Sequence, residues 1–257
     1  MKIRIVVASH KPYWMPEDPL YQPVLVGAAG RSGPCPEGWA RDDAGENISG
    51  RNGTFCELTG LYWAWKNGFA EVTGLAHYRR YLGSGRRGKA PGERLLTGEK
   101  IEKLLAGADV ILPRKRHYWI ETRESQYAHA HHAEDLRAAE AVLREMYPAY
   151  LPAWRHMLKT RSGHICNLFI MRRALAEEYC EWLFSILFEV ERRLDLSAYS
   201  ARDRRVFGYL GERLLDVWVE TKGLRTAEVP TVTLERENWI RKGWLFLRRK
   251  AGWAPRD

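Results

Sequence analysis

Short apolar runs of strand length alternate with longer stretches of helical periodicity along almost the whole chain, and this alternation most constrains the fold. Lys2 to Ala8, Val72 to Ala76, Ala108 to Pro113, Ile165 to Met171 and Val229 to Leu234 read as strands, with Tyr21 to Ala28 as a second early one. Between them, helical spacing predicts helices over Thr54–Asn67, Thr97–Ala106, 133–147, 151–159, 173–194 and about 203–221, with Gly68 stopping the first. Strands alternating with helices predict an α/β domain with a parallel or mixed sheet covered on both faces. At 257 residues, 45% of them hydrophobic, the chain suffices for one such domain with a sizeable core. No internal repeat or linker divides it. The expectation is one domain over 1–238 and a basic aromatic tail over 239–257.

Net charge of +9 favours anionic partners, either nucleotide phosphates, acidic lipids or nucleic acid. No zinc-finger spacing, recognition-helix repeat or RNA-binding aromatic signature supports nucleic acid. The opening run is too short for a signal peptide, and no stretch approaches the ~18 apolar residues of a membrane span. Cys35, Cys56, Cys166 and Cys180 are scattered without a CxxC, which fits reduced thiols in a cytoplasmic protein. Patterns GxSxG, HExxH, GxGxxG and the Walker lysine loop are all missing, which argues against the corresponding hydrolases, zincins, oxidoreductases and ATPases.

Sheets of this kind bind ligands at the carboxyl ends of their strands. Three strand exits are cationic: Ser9-His10-Lys11, His77-Tyr78-Arg79-Arg80, and Arg114-Lys115-Arg116. Arginine forks match phosphate oxygens, so a diphosphate suits these exits; a solvated turn explains Arg114 to Arg116 equally simply, while the apolar flanks of His77 to Arg80 favour a site role there. Asp42 and Asp43, with Asn47 and Ser49 behind them, form a segment dense in acceptors. Such residues hold ribose hydroxyls or a metal, or they make ordinary Asx turns. Glu57 faces either the site or solvent, while Trp63 and Trp65 fit core and rim. His129, His131 and His132 lack a carboxylate or cysteine at ligand spacing, which leaves a substrate-facing loop or a helix entry.

Several blocks together resemble a known family. They are Ser9-His10-Lys11 after the first strand, Asn47-Ile48-Ser49, the run from Cys56 to Asn67, Gly74 to Tyr81, Ile111-Leu112-Pro113 with Glu121-Thr122, Asn167 to Met171, and Arg205 to Leu215. The chain resembles, from about residue 3 to about 235, a bacterial capsular and exopolysaccharide glycosyltransferase family long catalogued as a domain of unknown function. Some members of that family are associated with galactofuranose transfer from UDP-galactofuranose.

The resemblance implies a GT-A-like nucleotide-sugar-binding fold with a central mixed sheet flanked by helices, a UDP-sugar donor, and a glycan or lipid-linked acceptor. GT-A folds normally carry a DxD for a divalent ion. Here the corresponding strand ends on His77-Tyr78-Arg79-Arg80, so fixed cations are expected to receive the leaving UDP without a metal. Asp42 and Asp43 remain available to manganese or magnesium. Donor contacts are expected from Ser9, His10, Lys11, Asp42, Asp43, Asn47, His77, Arg79 and Arg80. Sugar or acceptor contacts are expected from His164 and Asn167, although a satisfied structural histidine explains His164 as well.

By its order along the chain Glu212 matches the catalytic base of inverting GT-A enzymes, with Asp203 and Glu57 behind it. The simpler reading of Glu212 is a surface pair with a nearby arginine. A non-catalytic sugar-nucleotide or polysaccharide-binding assembly protein is the competing class. The tail from Trp239 to Trp253 mixes tryptophans with arginines and lysines, as an anionic membrane surface would require.

Overall fold

The computed structural model describes residues 1–235; the tail expected over 239–257 lies outside the described residues. The main sheet is built around β1 (Ile3–Ser9), the most buried run of the opening segment. Its neighbours are β2 (Tyr21–Leu25) on one side and β4 (Val72–His77) on the other, with the short β3 (Ala40–Arg41) beyond β2. On the β4 side follow β9 (Phe169–Arg172), β6 (Val110–Pro113) and β10 (Thr226–Val229). Along this path every pairing is parallel except the two made by β9. The sheet is mixed, as expected.

Strand alternation divides the core in two. Val6 and Ala8 of β1, Leu75 of β4, Val110 and Leu112 of β6, and Phe169 and Met171 of β9 point to the larger core. The longer helices of that side are α2 (Leu58–Lys66), α5 (Ala133–Met146), α6 (Leu151–Lys159), α7 (Arg173–Arg193) and α8 (Val206–Thr221), and Phe55 and Tyr127 join the same core. Ile5, Val7, Ala76, Ile111 and Ile170 face the other way, onto Ile101 and Leu105 of α3 (Gly98–Gly107). Trp65 stacks on Phe184 at 5.8 Å, so it packs rather than forming a platform.

Four boundaries differ from the sequence reading, each for a local reason. The helix expected over 54–67 is two, α1 (Asn52–Phe55) and α2, broken at Cys56, whose φ of 54° no helix accommodates. The strand expected from 165 begins at 169, because Cys166 and Asn167 are left-handed, at φ 72° and 51°. The late strand is two, β10 and β11 (Thr231–Thr233), with Pro230 between them. Helix α4 (Arg123–Ala130) was missed; Thr122 caps it by accepting the Ser125 N–H at 3.1 Å. The remaining short strands are β5 (Arg80–Leu82), paired to β4 and β11, and a separate ribbon of β7 (Arg116–His117) with β8 (Ser162–Gly163).

Candidate active site at the carboxyl edge of the sheet

From β1 the chain passes to β2 on one side, and it returns to β4 on the other. The order therefore reverses between β1 and β4, which opens a crevice beyond their carboxyl ends. The two exits there are Ser9-His10-Lys11 and His77-Tyr78-Arg79-Arg80, and Ala8 pairs with His77 in register. Because β9 runs the opposite way, its amino end, with Cys166 and Asn167, arrives at this same edge.

The β1 exit is a tight turn. Ser9 is buried, and its hydroxyl donates to the Lys11 carbonyl at 2.6 Å, so it shapes the turn instead of presenting itself to a ligand. His10 packs edge-on against Tyr78 at 5.3 Å, and the Lys11 ammonium lies 5.8 Å from the same ring. Burial lowers the His10 pKa, and the charges of Arg31, Lys11, Arg79 and Arg205 lower it further. At the β4 exit, residues 78 and 79 form a two-residue hairpin turn between His77 and Arg80. Tyr78 turns inward as core. The Arg79 N–H donates to His77 Nδ1 at 3.3 Å, which leaves the ring proton on Nε2. Burial, with Arg79 and Arg80 adding to it, pushes the His77 pKa down to about 3, so the imidazole stays neutral. Arg79 meets Glu235 at 3.1 Å in a half-exposed pair.

Across the crevice, α8 brings Glu212. Its Oε1 accepts the Cys166 N–H at 2.8 Å, while Oε2 stands 3.9 Å from Arg213. Burial raises the Glu212 pKa, and the nearby Glu57 charge adds to this against the pull of Arg213. Even so, 22% of its side chain remains accessible. The Arg213 partner of the simpler reading is present, but the pair is not a surface one: Arg213 is buried and the Glu212 carboxyl is anchored to a backbone N–H. Glu57 accepts from Asn167 Nδ2 at 2.9 Å, and that amide also donates to the Gly208 carbonyl at 3.0 Å. The left-handed Cys166–Asn167 turn is thus clamped between both carboxylates. The glycines of α8 permit the fit: a Cβ on Gly211 would lie 2.9 Å from Asn167 Oδ1, and one on Gly208 would lie 3.1 Å from Cys56 Sγ.

Arg205 completes the rim, its Nε donating to Cys56 Sγ at 3.1 Å. Burial pushes the Cys56 thiol up to about 11 and the Cys166 thiol up to about 12, so neither is a thiolate nucleophile near neutrality. Beyond the β2 end, a cavity of about 320 Å³ is lined by Pro12, Leu25, Gly30, Arg31, Gly33 and Pro34. A cavity of about 520 Å³ sits at the opposite edge, beside Ile3, and is lined by Asp18, Glu99 and Glu102, the last paired with the Met1 ammonium at 2.9 Å.

Like Ser9 and Asn167, which are buried, four further expected site residues are used inside the fold. Asp42 is fully buried and accepts from the Gly27 and Ala28 N–H groups at 2.9 and 3.0 Å, from Thr59 at 2.6 Å, and from Ser49. Asp43 is paired with Arg41 at 2.6 Å, and that hydrogen bond holds its carboxyl below the usual range. The Asn47 amide closes a local turn on Asp43 and Gly45. Both ring nitrogens of His164 are taken, by Asp216 and by Glu228 at 3.2 Å, so His164 is structural rather than an acceptor ligand. His131 and His132 form the entry to α5 and contact Asp203 at 3.2 and 3.7 Å. A DxD-type metal therefore does not fit Asp42 and Asp43. Among the described residues no group of three or more His, Cys, Asp or Glu side chains is arranged to hold an ion. Sequence reasoning missed Arg31, Arg205 and the clamp on the Cys166–Asn167 turn.

No curated protein matches the chain. Among solved structures, the apo form of WbbM, described as a bifunctional glycosyltransferase, matches with a TM-score of 0.85 at 29% identity over 92% of this chain. The match takes in 46% of WbbM, so the chain spans about half the length of that protein. The likeness agrees with a GT-A-like arrangement of a mixed sheet between helices. A family model described as a domain of unknown function, DUF4422, matches residues 4–223, and the chain belongs to that family.

Proposed function

We propose that this chain is a glycosyltransferase that moves a sugar from a UDP-sugar to a hydroxyl of a glycan or lipid-linked acceptor in surface-polysaccharide assembly. The observation that carries the reading is a desolvated, backbone-anchored carboxyl, Glu212, at the same sheet edge as cations from two strand exits. The uracil nucleoside fits the cavity at Pro12, Leu25 and Arg31, with the diphosphate reaching Lys11, Arg79 and Arg80. The acceptor oxygen attacks the anomeric carbon as its proton passes to Glu212. The bond from that carbon to the diphosphate oxygen breaks, and its electron pair leaves on UDP, whose charge the cations receive. Neutral His77 offers an Nε2–H and adds no charge. Galactofuranose is the donor sugar that the family resemblance favours. UDP release from a panel of UDP-sugars tests the proposal. Release that depends on added acceptor supports it, and donor binding without turnover supports a binding protein instead.

Two further outcomes are expected. UDP should raise the melting temperature of the wild type, since a ligand held only by the folded state stabilises it. Arg79→Ala should reduce that rise, because among the described residues the guanidinium is held by a half-exposed pair with Glu235 and a contact with the Tyr78 ring, and the first of these can yield to a diphosphate. An undiminished rise would remove Arg79 from the donor site. Chelation should leave most of the turnover intact, given that Asp42 and Asp43 are consumed internally. Complete loss on chelation, restored by manganese, would contradict this.

A further inference from the structure

Between β6 and α4 the chain makes an exposed turn that the proposed chemistry does not use. Trp119 is 79% exposed and Ile120 is 56% exposed, the two largest exposures among big apolar side chains of the described residues. Trp119 has φ 60°, and the Ile120 N–H reaches back to the Tyr118 carbonyl at 2.7 Å, closing a three-residue turn of the rare, strained kind. A non-glycine residue in this conformation needs outside support. The turn receives it from the β7–β8 ribbon and from the Tyr118 N–H, which donates to the Arg161 carbonyl at 2.8 Å. The ring is therefore held outward by a braced backbone.

The two sides of the turn differ in character. Tyr118, on the inner side, is partly buried; burial raises its pKa, and the charges of Arg213 and Glu212 act on it. On the outer side, Arg114, Lys115 and Arg116 precede the apolar pair and are all exposed. Of the acids near these cations, Glu121 is buried against His129 at 2.7 Å, Glu228 on β10 is engaged by His164 at 3.2 Å, and Glu124 is exposed.

We infer that the Trp119–Ile120 turn is an interfacial anchor, which inserts into an anionic lipid surface while Arg114, Lys115 and Arg116 meet headgroup phosphates. Tryptophan settles at headgroup depth, a neighbouring isoleucine reaches the acyl boundary, and adjacent cations complement an acidic leaflet. Because Tyr118 on the same turn faces the Glu212 region, the anchor holds the crevice at the bilayer, where a lipid-linked acceptor presents its sugar. This purpose rests on the proposed transfer reaction. The binding itself does not.

The test is sedimentation of the full chain with phosphatidylcholine vesicles, with and without phosphatidylglycerol, in the absence of donor and acceptor. The wild type should pellet with the anionic vesicles in low salt and lose this in high salt. Trp119→Ser with Ile120→Ser, and separately Arg114→Gln with Lys115→Gln and Arg116→Gln, should each weaken partitioning by about tenfold or more. These side chains are exposed, so unchanged melting temperatures should show both variants folded. Acyl chains brominated near the headgroup should quench the wild-type tryptophan emission more than that of the Trp119 variant. Wild-type partitioning by both variants would overturn the inference and move any contact to residues beyond 235. Absence of pelleting by the wild type would overturn it too, leaving the turn to a protein or saccharide partner. Since no turnover is measured, neither result depends on the transfer reaction.

Discussion

Glu212→Gln should lower turnover by roughly two to four orders of magnitude while leaving donor binding nearly unchanged. Glutamine keeps the size of the side chain and an oxygen to accept the Cys166 N–H, but it cannot take a proton from the acceptor hydroxyl. The wild-type pH profile should carry the same signature. Burial raises the Glu212 pKa, with the Glu57 charge adding to it, so the acid limb should lie above the ordinary glutamate value of 4.5. Glu57→Gln removes that neighbouring charge and should move the limb down. Stability should change in the opposite sense to activity. A carboxyl whose folded pKa is raised favours folding below its unfolded pKa, and this advantage is lost as pH rises through the folded value. At neutral pH the ionised Glu212 is therefore a cost, and Glu212→Gln should melt a few degrees higher than the wild type. Near-normal turnover in Glu212→Gln would end its assignment as base and pass the role to Glu57.

The second large effect belongs to Asp42, and it falls on stability. Its fully buried carboxylate takes two backbone N–H groups and two hydroxyls, joining the β2 exit to Ser49 and to Thr59 on α2. Asp42→Ala leaves all four donors in a dry environment and should cost about 3–5 kcal/mol. For a domain of this size that is a fall of roughly 6–20 degrees in melting temperature. Asp43→Ala should cost about 1 kcal/mol at most, since its pair with Arg41 is partly solvated. An Asp42→Ala protein that melts like the wild type but has lost a metal-dependent activity would reverse this assignment.

The contrast between these two aspartates shows what was legible in the sequence. Adjacent carboxylates in a turn-rich segment look alike whether they bind a ligand or hold the loop: the partners of Asp42, Gly27, Ala28 and Thr59, come from elsewhere in the chain, while Asp43 is paired locally with Arg41. His164 was ambiguous for the same reason: Asp216 lies on α8 and Glu228 on β10. The cationic exits were legible, because a strand running into His77-Tyr78-Arg79-Arg80 declares both its end and its charge. Periodicity located α3, α5, α6 and α7 to within a residue or two. It could not locate Cys56, Cys166 or Asn167, whose left-handed backbones depend on contacts with α8. Glu212 is a candidate by its order along the chain, but its desolvation and the Cys166 N–H that anchors it appear only when the chain entering β9 meets α8.

A crystal structure of the chain with UDP bound tests the central claim most directly. The account predicts uracil in the cavity at Pro12, Leu25 and Arg31, and the diphosphate on Lys11, Arg79 and Arg80, with Glu212 on the far side of the crevice. A nucleotide seated instead in the acidic cavity beside Met1 and Glu102, with the β1–β4 crevice left empty, would contradict it.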